Sequence, residues 1–310
     1  MTILNDFLAS NPNLAIISNN GRPTAIPPEW RPVLKDCDML IAIPDTHIYV
    51  HRSNLDNFKY GAKSLLDFLK PLKKLKSKFA QKGKRLRVYQ LGDLYELRFP
   101  GQGNPGPTTT PPEIMMSHRM YTEVINTMNS LRTHLIYGNH DFENRHYAGF
   151  RFGALEGKVY LEHGFAADTW EDFANPHAPL WYPGQLALLE LRKVEDFFAK
   201  LLVKAQLIRR DEHFAIGVPS GEKPRGNMTT TAAYFLRYKK QWDYYTTRLR
   251  QQTNGKDTRI SIIGHTHLPY LDANVDGGNY IFIDAGCWTE GRSDFAVVTN
   301  EELAICRYKR

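Results

Sequence analysis

Cysteine is scarce in this chain. Cys37, Cys287 and Cys306 are the three it has, widely spaced and without a Cys-x-x-Cys pair. An odd, scattered set argues against a disulfide framework or a thiolate zinc site and suits a reducing compartment. No run approaches the ~18 apolar residues of a membrane-spanning helix. The opening residues, MTILNDFLASNPNL, lack a basic start leading into an apolar stretch, so no signal peptide is expected. No internal repeat and no recognisable nucleic-acid module is visible. These absences point to a cytoplasmic chain.

Acidic charge is missing from one segment. Residues 70–87, KPLKKLKSKFAQKGKRLR, carry nine basic side chains and no acid, within a chain of net charge +7. The segment reads as the solvated face and tail of a helix. It also suits an anionic membrane surface, peripherally bound, or a phosphate-rich ligand.

What is present is ordinary globular material. A hydrophobic fraction of 42% over 310 residues allows one large domain, or two small ones, with a substantial core. Residues 1–37 contain NPN, NNG and IPP and read as an irregular N-terminal arm with one short helix. Strands then alternate with helices. Strands are expected at Asp38–Pro44, Arg87–Leu91, His134–Tyr137 and Lys158–Leu161. Helices are expected at Asn54–Lys78, broken or kinked at Pro71, and at Glu113–Arg132, entered through PPE. Met115, Met116, Met120 and Met128 read as core fillers. From about Trp170 the pattern turns helical, with wide apolar stripes over Gln185–Leu207 and Thr229–Gln252. Strands return at Arg259–Ile263, Tyr280–Ile283 and Phe295–Thr299. The division is therefore an arm (1–37), an α/β domain (38–169 and 255–310) and a helical insertion (170–254). Strand–helix–strand repetition places active groups at the C-terminal ends of strands.

Five short motifs fall at those ends: PDTH (44–47), GDLYE (92–96), GNHD (138–141), EHG (162–164) and GHTH (264–267). Each alone is weak. Together they bring carboxylate, amide and imidazole groups, with no sulfur, to one sheet edge. Such ligands suit Mn²⁺, Fe²⁺, Zn²⁺ or Ni²⁺. Seven groups are too many for one ion but right for two that share a bridge. Two ions about 3.5–4 Å apart stabilise the attacking and leaving oxygens of an in-line displacement and lower the pKa of a bound water.

The ordered set D-x-H, G-D-x-x-E/D, G-N-H-D/E, H and G-H-x-H resembles the calcineurin-like metallophosphoesterases, over roughly residues 38–300 without the insertion. The resemblance implies a four-layer αββα sandwich of two mixed sheets and a centre of two divalent transition-metal ions. It implies that Asp45, His47 and His267 hold the first ion, that Asn139, His163 and His265 hold the second, and that Asp93 bridges them. A hydroxide bridging the ions would attack phosphorus in line, and His140 would stay off the metals to aid the leaving group. Glu96 and Asp141 would stand behind the ligand imidazoles or the His140 ring and orient them, with simple turn capping as the alternative for Asp141. Asp168 is a further candidate substrate or supporting contact, and the other histidines match no block. Pro44 precedes Asp45 where the family has Ser or Gly.

The substrate implied is an anionic phosphoester or pyrophosphate. Within the family, the helical insertion resembles the lid of UDP-diacylglucosamine hydrolases, and GDLYE resembles their GDLFE. Their third block reads G-N-R-D, however, where this chain has His140. Phosphoprotein phosphatases carry GDxxDRG and GNHE, which Leu97 and Asp141 do not match. The loop FPGQGNPGPTTTPP (99–112) reads equally as pocket wall or surface loop. A non-catalytic scaffold on the same fold is the contrasting reading. A scaffold would be free to lose ligands, and the complete set argues for a hydrolase.

Overall fold

The structure, a computed structural model, describes residues 2–49, 56, 58–97, 110–141, 144, 149–165, 257–267, 269–289 and 292–309. Asp168, most of the 99–112 loop and the helical insertion expected over 170–254 lie outside the described residues. The larger sheet has a parallel centre of β3 (Met39–Ile43), β4 (Leu86–Leu91), β5 (His134–Ile136) and β6 (Phe150–Arg151). Beside β3 it continues antiparallel through β12 (Asp294–Thr299) and β13 (Glu302–Tyr308), which also pairs with β1 (Leu14–Ile16) and β2 (Thr24–Ala25). The second sheet places β8 (Val159–Glu162), β9 (Ile260–Ile263) and β11 (Tyr280–Ala285) parallel. The antiparallel strands β7 (Gly153–Glu156) and β10 (Pro269–Val275) flank them.

The two mixed sheets pack face to face, and side-chain alternation explains why their strands read as unbroken apolar runs. On β3, Met39, Ile41 and Ile43 face the helices, whereas Leu40 and Ala42 face the second sheet. On β12 the same division separates Phe295 and Val297 from Ala296 and Val298. A strand buried on both faces has no polar face to alternate with. The core between the sheets is completed by Val159, Leu161, Ile260, Ile262, Ile281 and Ile283. Each such side chain contributes about 1.5–3 kcal/mol by leaving water. Across the base of the sandwich, Glu156 of β7 accepts from Arg87 and from the Tyr89 hydroxyl of β4, and from the Asp36 amide.

Helices α1 (Ile3–Ala9), α2 (Ala62–Gln81), α3 (Pro111–Ser117) and α4 (Arg119–Ser130) cover the outer face of the larger sheet. The described residues thus build an α/β sandwich of one helical layer and two sheets. Pro71 does not break α2. It lies on the solvent side, and Asp67, whose carbonyl a proline four residues on cannot pair with, is a half-buried residue. The helix expected over Glu113–Arg132 is instead two. His118 is extended (φ −158°, ψ 132°), and its Nδ1 caps α4 by accepting from the Met120 amide at 3.2 Å. Thr110 and Glu113 form a reciprocal capping box that starts α3 at PPE, whose prolines occupy the first helical positions. Met128 is buried and Met115 and Met120 half-buried against the core, but Met116 is 79% exposed because the short α3 presents only one face inward. The N-terminal segment supplies the expected short helix and also β1 and β2. The basic side chains of 70–87 lie mostly on the exposed side of α2. That helix leads to the start of β4, the end opposite to Asp93. No helix among the described residues is long and apolar enough to cross a membrane.

All three cysteines are reduced thiols, and all are buried. Burial pushes the Cys37 and Cys306 thiols up to about 12, away from the reactive thiolate. Iodoacetamide should therefore leave the native protein unlabelled over hours and add three groups after denaturation, read by intact mass. Rapid native labelling would contradict this burial.

Candidate metal centre

The five motifs converge because each follows a parallel strand. PDTH leaves β3, GDLYE leaves β4 and GNHD leaves β5; EHG leaves β8 and GHTH leaves β9. Backbone contacts join the two sheets at this edge. Asp45 pairs with Cys287 beyond β11, and Trp288 donates its amide to the Asp45 carbonyl at 2.8 Å; within the second sheet, Gly264 donates to the His163 carbonyl at 2.9 Å. Two glycines permit the approach. A Cβ on Gly138 would stand 2.1 Å from Asp93 Oδ1, and one on Gly264 would stand 2.4 Å from Asp45 Oδ2.

Around Asp45 the atoms face inward. His47 Nε2 is 3.1 Å from His267 Nε2, and Asp45 Oδ1 lies 3.9 and 4.0 Å from those two nitrogens. The second group centres on His163 Nε2, which is 3.0 Å from Asn139 Oδ1, 3.2 Å from His265 Nδ1 and 3.2 Å from Asp93 Oδ2. Asp93 Oδ2 is also 3.6 Å from His47 Nε2, so one oxygen faces both groups. All seven ligands expected from the motifs are thus brought together.

The rear atoms of the rings decide what the front atoms can do. His163 Nδ1 donates to the Leu91 carbonyl at 2.9 Å, and His47 Nδ1 meets Glu96 Oε2 at 3.1 Å. In a neutral ring this leaves the Nε2 lone pair pointing at oxygens and nitrogens that are acceptors too. Asp45 Oδ1 is buried and makes no hydrogen bond, while its Oδ2 accepts from the His265 amide at 2.7 Å. Inward-facing acceptors 3–4 Å apart repel unless protons or a cation lie between them. Ligand bonds of about 2.0–2.2 Å place neighbouring donors about 3.0–3.5 Å apart. The donor set therefore fits a divalent cation, and in three groupings the ligand atoms all lie within 4.8 Å of one another: Asp45, His47 and His267; His47, Asp93 and His140; and Asp93, His163 and His265.

Without a cation, protons fill the role. Burial disfavours a charged His163, but the Asp93 and Asp45 carboxylates outweigh it and raise the ring to about 10. Burial likewise opposes charge on His47, and Glu96 with Asp93 raises it to about 9. Asp93 is held well below the usual range, because His163, His140 and His47 overcome the cost of its burial. His267 is lowered, first by burial and then by His47.

His140 and Glu96 form the flank. His140 Nδ1 lies 2.5 Å from Glu96 Oε2, the same oxygen that meets His47. Burial raises the Glu96 carboxyl, but the two imidazoles outweigh it and hold it at about 2. Asp141 does something other than orienting a ring. Its carboxylate accepts backbone amides from Gly138 (2.7 Å), Leu94 (2.9 Å), Asp93 (3.3 Å) and Tyr95 (3.4 Å), tying the GNHD loop to the GDLYE loop. The motifs did not reveal Thr266, Asp284 or Arg292, which hold the GHTH loop from behind. The available signals were a threonine between two ligand histidines and a carboxylate ending the apolar run YIFID.

No family profile and no curated protein matches the chain. A solved structure of a conserved uncharacterized protein from Streptococcus pneumoniae TIGR4, described as a predicted phosphoesterase, is similar at 13% identity. The alignment covers 86% of this chain and 88% of that chain, with a TM-score of 0.33. A likeness that distant carries no argument about this chain.

Unfolded histidine titrates near 6.5. Folded values of about 9 and 10 at His47 and His163 add stability that is complete below pH 6.5 and is lost as pH rises through 9 to 10. Cation binding requires both rings to release those protons. The Tm of chelator-treated protein should fall between pH 6.5 and 8.5, while its gap to protein with excess Zn²⁺ widens. A gap that narrows over that range would refute the proton-filled cluster.

Proposed function

We propose that the chain is a metal-dependent phosphoric ester hydrolase of the calcineurin-like kind, with two divalent transition-metal ions. The observation that carries this reading is the position of Asp93 Oδ2, 3.6 Å from His47 Nε2 and 3.2 Å from His163 Nε2, between two inward-facing ligand sets. Asp45, His47 and His267 would hold one ion and Asn139, His163 and His265 the other, with Asp93 shared. Ions so held polarise a phosphoryl oxygen and make water a stronger nucleophile. Asn139 supplies its oxygen without adding negative charge near an anionic substrate.

The chain's own residues do the rest. Asp141 fixes the two loops that carry Asp93 and Asn139. The His163–Leu91 and His47–Glu96 contacts set the ring orientation, so that Nε2 faces the centre. His140 is assigned to the substrate although it also groups with His47 and Asp93. Its side chain is 22% exposed, against 8% for His47 and none for His163. With Nδ1 donating to Glu96, the ring carries its transferable proton on Nε2, and ionised Glu96 stabilises the imidazolium. That proton goes to the departing oxygen.

Purified protein should hold about two transition-metal ions per chain and hydrolyse bis-p-nitrophenyl phosphate with Mn²⁺ added. Elemental analysis without metal, together with no turnover on any activated phosphoester, would sink the reading. Asn139→Ala should lower occupancy of one ion. His140→Ala should keep both and lose about 10²–10⁴-fold in turnover on an alkyl ester. The loss should be smaller on a nitrophenyl ester, whose leaving group needs no proton. Equal metal loss in both variants would refute the division of roles.

A further inference from the structure

The GHTH loop supplies one ligand to each proposed ion, and the residue between those ligands is held in an unusual way. His265 and His267 both have left-handed backbone, with φ of 72° and 62°. Side chains with a Cβ occupy that region only when their surroundings enforce it. Part of the enforcement is ordinary. His265 donates its amide to Asp45, and the His267 carbonyl accepts from Arg292 Nη1 at 2.9 Å. The remaining point is Thr266, 3% exposed, whose amide closes a tight turn onto the Gly264 carbonyl at 2.9 Å. Its hydroxyl donates to Asp284 Oδ2 at 2.5 Å.

Asp284 is built to receive it. The carboxylate is completely buried at the end of β11, whose Asp284 lies in register with Ile263 of β9, just before the loop. Its other oxygen accepts from the Gly286 amide at 3.1 Å, which fixes the carboxylate's orientation. A buried carboxylate in an otherwise apolar strand costs free energy. Among the described residues its side-chain hydrogen-bond partner is the threonine between the two histidines.

We infer that Thr266 is a positioning residue for both ions: its hydroxyl, anchored on Asp284, sets the turn that aims His265 at one ion and His267 at the other. This rests on the proposed dinuclear reading. One hydroxyl thereby couples the two sites, whereas Asn139 belongs to one. Loss of the tether should let both rings turn away together.

The test uses the full chain, Thr266→Val and Thr266→Ser, with Zn²⁺ as the probe. Affinities are read by competition with a chromophoric chelator, and stoichiometry by elemental analysis. Thr266→Val should weaken both ions about 10- to 100-fold, and Thr266→Ser, which keeps the hydroxyl, should restore wild-type binding. If Thr266→Val does not fold, Thr266→Ala carries the measurement. Wild type binding two ions while the hydroxyl-free variant binds them as tightly, or loses only one, would overturn the inference and leave the hydrolase reading standing. Wild type binding no ion would overturn both.

Discussion

Everything at the active edge depends on one unfavourable arrangement: acceptor atoms buried face to face. Asp93 Oδ2, Asp45 Oδ1, Asn139 Oδ1 and the inward nitrogens of four histidines crowd the gap where the two sheets meet. In isolation such a cluster would be expelled to water or neutralised, since an unpaired buried polar group costs several kcal/mol. It persists because the sandwich over-determines the positions. Strand ends from both sheets deliver the side chains, backbone bonds join the loops, and glycines let carboxylates approach neighbouring backbone without a clash.

The same constraint appears as strain. Among the described residues eight non-glycine positions have positive φ, and four of them are His47, Asp93, His265 and His267. Each costs about 1–3 kcal/mol. The loops repay this with hydrogen bonds that a relaxed loop would lack: Asp141 to four amides, Asp45 to the His265 amide, and Asp93 Oδ1 to the His140 amide at 2.7 Å. Asp45 and Asp93 thus do double duty, one oxygen holding backbone and the other facing the centre, whereas both oxygens of Asp141 hold backbone. Deleting one should disturb geometry as well as charge.

The legible parts of this structure were those whose sequence signal is local. The central strands announce themselves as short apolar runs, because both of their faces are buried, and the motif glycines stand beside the residues they make room for. What was not legible depended on distant partners. β1 and β2 are three and two residues long and exist only by pairing with β13. β10 carries a register shift and polar residues such as Asp272 and Asn274, so it lacks strand alternation. The split at His118 depends on a side-chain cap rather than on propensity, and Pro71 is tolerated because of which side of α2 it occupies. At the site, residue types and order could be read in advance. Turn capping by Asp141 was one of the readings, but its clamp on the GDLYE loop and the roles of Thr266 and Asp284 could not be read, since they reside in contacts between segments further apart in sequence.

His140 bears on which phosphorus bond the proposed centre would break. An arginine in its place would offer a permanent charge and a bidentate fork, but no proton to give. That suits a pyrophosphate, whose departing phosphate has a second pKa of about 6 and leaves without protonation. An imidazole backed by ionised Glu96 suits the opposite case, an alcohol whose alkoxide cannot leave unprotonated. Glu96 raises the cost of that ring giving up its proton in the resting state, yet it also fixes the tautomer and aims Nε2. In the proposed centre this pairing would favour a phosphoester with an alcohol leaving group over a nucleotide-lipid pyrophosphate.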